Sequence, residues 1–118
     1  MQRIVLKSKI HNAKITQTDL LYNGSITIDK EIMKRAHIVE NELVQVVNVN
    51  NGARFETYVV CGEKEPGMIC LNGPAARMGV EGDSVHILTY VILGDDELNN
   101  FKPSIIILNE KNEILCEK

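Results

Sequence analysis

The sequence predicts a single, mainly β domain folded as a small β-barrel with short helices. Three observations carry this. The apolar residues fall in short runs rich in β-branched side chains. Two such runs flank Asn51-Gly52, a strong hairpin signal. Every helix signal spans only a turn or two. At 118 residues the chain fits one domain, with a single core and little spare stability. No internal repeat, low-complexity segment or linker interrupts it; Gly and Pro are scattered as punctuation.

In chain order, Ile4 to Ile10 alternates apolar and polar residues well enough for a strand. Asp29 is placed to cap a helix running through Ile32, Met33 and Ala36. Leu43 to Val49 and Arg54 to Val60 are the runs joined through Asn51-Gly52. Met68 to Leu71 is another strand, leading into a second Asn-Gly at Asn72-Gly73. Pro74 suits the first position of a one- or two-turn helix through Met78. Val85 to Leu93 and Ile105 to Leu108 are nearly continuous apolar runs, as expected for strands buried on both faces. Asp95 to Leu98 can start one more short helix.

Composition narrows the function. Net charge is −3 and aromatics are 4%, which argues against nucleic-acid binding. No apolar run is long enough to span a bilayer, and Met1 to Lys7 interleaves charge with apolar residues, unlike a signal peptide. Cys61, Cys70 and Cys116 are odd in number and irregularly spaced, fitting neither a disulfide framework nor a zinc site. His11, His37 and His86 show no paired ligand spacing, and no glycine-rich phosphate loop of the usual pattern is present. The expectation is a cytoplasmic protein with reduced, packed thiols, no bound metal, and no nucleic-acid or membrane partner.

Tyr22-Asn23-Gly24-Ser25 admits two readings. One is a tight hairpin turn on Asn-Gly. The other is a self-cleavage site, in which the Ser25 hydroxyl attacks the Gly24 carbonyl carbon. Glycine before the serine suits that attack, because no Cβ blocks the approach, and local backbone strain would favour it. Lys9 and His11 share a strand face and read either as a solvated edge or as site residues. Arg54 offers a donor fork suited to a carboxylate, and Tyr58 a phenol protonated at neutral pH; singly, they also read as a surface cation and a strand aromatic. The amides of Gly73, Ala75 and Ala76 open a helix start that can face an anion.

Taken together, these segments resemble one family. The succession is Lys9-Ile10-His11, Thr16, Asp19 to Asp29, Glu40-Asn41-Glu42, Asn48 to Tyr58, Leu71 to Arg77, Gly82-Asp83 and Lys102-Pro103. In order and spacing it resembles the bacterial pyruvoyl-dependent aspartate 1-decarboxylases, from the first strand to about Glu113. The resemblance implies a closed six-stranded double-psi β-barrel, assembled as a homotetramer with active sites between subunits. It implies self-cleavage at Gly24-Ser25 into residues 1–24 (the β chain) and 25–118 (the α chain), with Thr57 holding the intermediate oxygen. A maturation helper protein is a possible further partner.

The implied cofactor is a pyruvoyl group made from Ser25, with neither a metal nor pyridoxal phosphate. It would form a Schiff base with L-aspartate, release the α-carboxylate as CO2, and give β-alanine for pantothenate biosynthesis. Tyr58 would return the proton. Lys9, His11, Tyr22, Arg54, Thr57, Asn72, Gly73, Pro74 and Ala75 would bind or orient substrate. Two positions qualify this. Pro74 stands where the family often has alanine; lacking an N–H it can line the site but not donate. Asn23 falls at a position the family fills variably and carries no implied role.

Three alternatives compete. A pyruvoyl decarboxylase for another amino acid is disfavoured by Arg54 and Lys9, which suit a diacid. A serine hydrolase using Ser25 and His11 lacks the Gly-x-Ser-x-Gly elbow. A non-enzymatic β-barrel interaction module would remain one intact chain.

Overall fold

The computed structural model describes all residues, 1–118. It is mainly β, a small barrel with short helices, as expected. Nine strands follow in order: β1 (Gln2–Lys14), β2 (Gln17–Asp19), β3 (Ser25–Asp29), β4 (Leu43–Asn48), β5 (Arg54–Gly62), β6 (Ile69–Asn72), β7 (Ser84–Gly94), β8 (Ser104–Leu108) and β9 (Ile114–Glu117). They are hydrogen-bonded side by side in the order β2-β6-β3-β5-β4-β7-β1-β8-β9. Ile10, Ile26, Ile28, Val44, Val46, Val59, Ile69, Leu71, Ile87 and Ile106 all belong to one buried cluster. A sheet seven of whose nine strands reach one core must curl around it.

The curl is completed where β1 runs on past its last paired residue. Thr16 N–H donates to the Ile69 carbonyl of β6, and the Thr16 hydroxyl accepts from Ile69 N–H. Asn112 adds a side-chain bridge. Its amide takes Lys14 N–H and donates to both the Lys14 and Gly67 carbonyls. An amide side chain can replace a strand in this way because it carries the same donor and acceptor as a peptide group.

The helix α1 (Lys30–Arg35) forms as the sequence predicts: Asp29 accepts from Glu31 N–H at 3.0 Å, and Ile32 and Met33 turn inward. Gly73–Arg77 is a 3₁₀ turn with Pro74 in its first positions, and Leu98–Asn100 is a second, shorter one. β4 and β5 pair antiparallel, as Asn51-Gly52 predicts, but the connection is wide: Val47 pairs with Arg54 across residues 48–53.

One of the two readings of Asn23-Gly24 falls, and one expectation is corrected. The Asn23-Gly24 segment is not a hairpin turn. β2 and β3 do not pair with each other; both pair with β6, which lies between them, parallel to β2 and antiparallel to β3. Neither Asn23 nor Gly24 takes the positive φ that a type I′ turn requires. Nor are β7 and β8 buried on both faces. In β7 every second residue is buried from Val85 to Thr89, while Tyr90 and Ile92 are exposed. Ile92 pairs with Ile4, itself exposed, so the outer ends of β1 and β7 present apolar side chains to the outside.

Candidate active site

Strand pairing places the site. In the β3–β6 ladder Ser25 faces Asn72 and Thr27 faces Cys70. Residues two apart share a face of a strand, so these four polar side chains form a square. The residues between them, Ile26 and Leu71, turn into the core. All four polar residues are nonetheless buried, Ser25 completely. Burying polar groups is costly unless they are paired, and here they pair with one another. Asn72 Nδ2 donates to Ser25 Oγ at 3.0 Å and to Thr27 Oγ1 at 2.9 Å. Ser25 Oγ donates back to the Asn23 carbonyl at 3.1 Å. The hydroxyl is therefore held beside the backbone of the residues before it.

Gly73 explains how that backbone is kept in place. Its φ is +62°, which glycine adopts without penalty. A Cβ there would lie 2.6 Å from the Tyr22 carbonyl oxygen, 2.8 Å from Gly24 N and 2.9 Å from Gly24 Cα. The backbone of Tyr22 to Gly24 rests directly on Gly73. The adjoining Pro74 ring also packs on Gly24, its Cδ 3.2 Å from where a Gly24 Cβ would be. A cleft of about 360 Å³ opens against this segment, lined by Gly24, Phe55, Glu56, Thr57, Pro74, Ala75 and Met78. Three members of the square, Thr27, Cys70 and Asn72, also line a second cleft, with Asp19, Tyr22 and Cys61 among its other walls.

One chain thus brings together Gly24, Ser25, Thr57, Asn72, Gly73, Pro74 and Ala75, with Tyr22 at their margin. It does not bring the remaining candidates to them. Thr57 and Tyr58 are adjacent on β5 and so point to opposite faces. Tyr58 is 39% exposed, and Arg54, on its side of the strand, is exposed and donates to Gln45 Oε1. Lys9 and His11 are on β1, separated from β5 by β4 and β7. His11 stacks on His86, ring centroids 4.2 Å apart and planes 10° apart. Burial, and then the charges of Lys9 and Lys118, hold the His11 pKa below its ordinary value. Burial, then His11 and Lys9, do the same for His86, whose Nδ1 accepts Asn12 N–H.

Sequence reasoning missed Thr27, Cys70 and His86. The signal for the first two was present once β3 and β6 are paired in register; nothing local marks His86 as the partner of His11.

A family model described as aspartate decarboxylase matches residues 1–115. Three similar proteins are each named aspartate 1-decarboxylase. That of Thermoanaerobacter pseudethanolicus is 52% identical over 113 residues, covering 96% of this chain and 97% of its own. That of Caldicellulosiruptor bescii is 57% identical over 111 residues, 94% of this chain and 87% of its own. That of Clostridium beijerinckii is 54% identical over 110 residues, 93% of this chain and 89% of its own.

Proposed function

Since the chain belongs to the aspartate decarboxylase family, we propose that it is a self-cleaving precursor of an L-aspartate 1-decarboxylase. The observation that carries this is the buried Ser25 hydroxyl, hydrogen-bonded by Asn72 and held beside a glycine against which Gly73 and Pro74 both pack.

Cleavage begins when Ser25 Oγ gives up its proton and bonds to the Gly24 carbonyl carbon. The Gly24–Ser25 C–N bond then breaks, the nitrogen takes a proton, and an ester replaces the amide. Negative charge on the former carbonyl oxygen is stabilised best by donors already in position. Thr57 borders the same cleft as Gly24, which supports its hydroxyl in that role. Loss of the Ser25 Cα proton expels the Gly24 carboxylate from Cβ and leaves dehydroalanine at position 25. Addition of water and departure of ammonia convert it to the pyruvoyl group. The products are residues 1–24 and 25–118.

The site fits that group: position 25 is shielded from water, Asn72 Nδ2 already donates to the atoms attached there, and an open cleft adjoins it. The group supplies a carbonyl electrophile and electron sink that no ordinary side chain offers. The chain's own residues do the rest. Arg54 and Lys9 grip carboxylates of the diacid by charge-assisted hydrogen bonds. His11 and Tyr22 shape the pocket, Asn72 orients, and Gly73 and Ala75 contact substrate with Pro74 as lining. Tyr58 Oη donates the proton that replaces the departed carboxylate. The product, β-alanine, suits pantothenate synthesis in the cytoplasm. No helix is long and apolar enough to cross a membrane.

Arg54, Tyr58, Lys9 and His11 lie away from Ser25 within one chain, and apolar Ile4, Tyr90 and Ile92 are exposed. Both facts support a homotetramer in which neighbouring subunits complete each site. Light scattering is expected to give four chains, and an active monomer would contradict it. The primary test is intact mass. An active preparation should contain the two fragments, the larger blocked to amino-terminal sequencing, and Ser25→Ala should stay whole, folded and inactive. Full activity in one unbroken chain would overturn the reading.

A further inference from the structure

We propose that Cys70 is a positioning residue for the cleavage just described: its thiol sets the orientation of the Asn72 amide, so that an N–H and not the carbonyl faces Ser25 Oγ. This inference rests on the self-cleavage reading of Gly24-Ser25. The Asn72 side chain bridges two kinds of neighbour. On one side, Cys70 Sγ donates to Oδ1 at 3.1 Å; on the other, Nδ2 uses its two hydrogens on Ser25 Oγ and Thr27 Oγ1.

Ser25 and Thr27 do not by themselves decide which way the amide points. A hydroxyl accepts from nitrogen as readily as it donates to oxygen. Turned over, Asn72 would present Oδ1 to Ser25 and draw the serine proton away from the Asn23 carbonyl, where it now lies. Cys70 is the member of the square that differs: sulfur accepts from an amide N–H more weakly than a hydroxyl does, so Nδ2 is better placed on Ser25 and Thr27 and Oδ1 on the S–H, itself a weak donor. Burial, and then the charge of Asp19, push the Cys70 thiol above its ordinary pKa, so it keeps the proton it donates.

The consequence is chemical. With nitrogen toward Ser25, an N–H stabilises the negative charge that grows on Oγ as its proton leaves. With oxygen toward Ser25, a lone pair would face that charge instead. No buried polar side-chain atom here lacks a partner, so loss of the thiol strands Oδ1 or turns the amide.

The test compares the parent with Cys70→Ser, Cys70→Ala and Cys70→Val, following cleavage of fresh precursor by intact mass and folding by circular dichroism. Serine and alanine are of similar size and differ in the donor. Valine fills space without one, and protects the comparison if alanine unfolds the strand. A buried neutral hydrogen bond is worth about 1 kcal/mol, about fivefold in rate. Cys70→Ser, whose hydroxyl can donate to Oδ1 but can also accept from a turned amide, is expected to cleave at a rate between the parent and the apolar variants, with the folded apolar variants at least about fivefold slower than the parent. A purely packing role predicts no gap between serine and alanine. If folded Cys70→Val cleaves as fast as Cys70→Ser, the proposal is overturned while the self-cleavage reading stands. If the parent itself stays whole yet decarboxylates aspartate, both are overturned.

Discussion

Replacing Gly73 with alanine separates two penalties that the structure lets us assign in advance. The first is conformational. At φ +62° an L-residue with a Cβ is strained, by about 1–2 kcal/mol. The second is steric: the new methyl would lie 2.6–2.9 Å from backbone atoms of Tyr22 and Gly24, which no rotamer change can relieve. Over-packing of this kind costs about 1–3 kcal/mol. Gly52 is the internal control, since its φ is +75° and nothing lies within 4 Å of its missing Cβ. Gly52→Ala should therefore show the first penalty alone. Urea unfolding in a Ser25→Ala background, where the chain stays whole, should place Gly73→Ala below Gly52→Ala by about 1–3 kcal/mol. With Ser25 restored, Gly73→Ala should also cleave about 10²-fold more slowly, because relief of the contact moves the scissile backbone by a sizeable fraction of an ångström. Equal stability of the two alanine variants, with cleavage at the parent rate in both, would refute the claim that Gly73 supports the scissile segment.

Three further outcomes follow from the same site. Thr57→Val keeps a half-buried, β-branched residue in the cleft beside Gly24 but loses the hydroxyl; intact mass should show slow or absent cleavage with circular dichroism unchanged, and normal cleavage would remove Thr57 from the mechanism. Tyr58→Phe removes an exposed hydroxyl and should leave cleavage intact while β-alanine formation falls about 10²–10⁴-fold; a fully cleaved, fully active variant would mean that Tyr58 is not the acid, leaving a bound water or His11 to be tested. The third concerns pH. His11 and His86 are held below the ordinary value in the folded chain, so as pH falls through about 6.5 the unfolded chain binds protons first and stability drops. The urea midpoint of the Ser25→Ala chain should be lower at about pH 5.5 than at pH 7.5, and His86→Leu should shrink that difference; an undiminished drop in the variant would place its origin elsewhere.

Where the sequence was legible, the signal was local. Asp29 capping α1, Pro74 opening the 3₁₀ turn, and the β4–β5 pairing all depend on residues close in the chain. Asn23-Gly24 shows the limit. Its composition favours a hairpin, but β6, some 45 residues later, inserts between the two arms, and a non-local partner overrides the turn signal. The apolar run of β7 misled for another reason: hydrophobicity does not say whether the second face is covered by the same chain or by something else. Tyr58 behaves differently again. That it must face away from Thr57 follows from the two-residue period of a strand and could have been read directly. The role of Asn112 as a bridge between Lys14 and Gly67 left no trace in sequence, because a lone asparagine after a turn reads simply as part of that turn.

The place of β1 has a consequence for the life of the molecule. β1 lies between β7 and β8, deep in the ladder, yet it belongs to the piece that the proposed cut severs. The whole chain can find this arrangement by itself, as a unimolecular event at any dilution. Once the peptide bond is gone, the two pieces stay joined only by their ladders and core. If they are ever driven apart, recovery becomes a bimolecular encounter between a long, partly apolar strand and a barrel missing its middle. The precursor thus carries information that the mature protein no longer holds. Mature protein should regain its strand content after urea poorly and in proportion to its concentration, whereas the Ser25→Ala chain should regain it independently of concentration, ahead of any assembly of subunits.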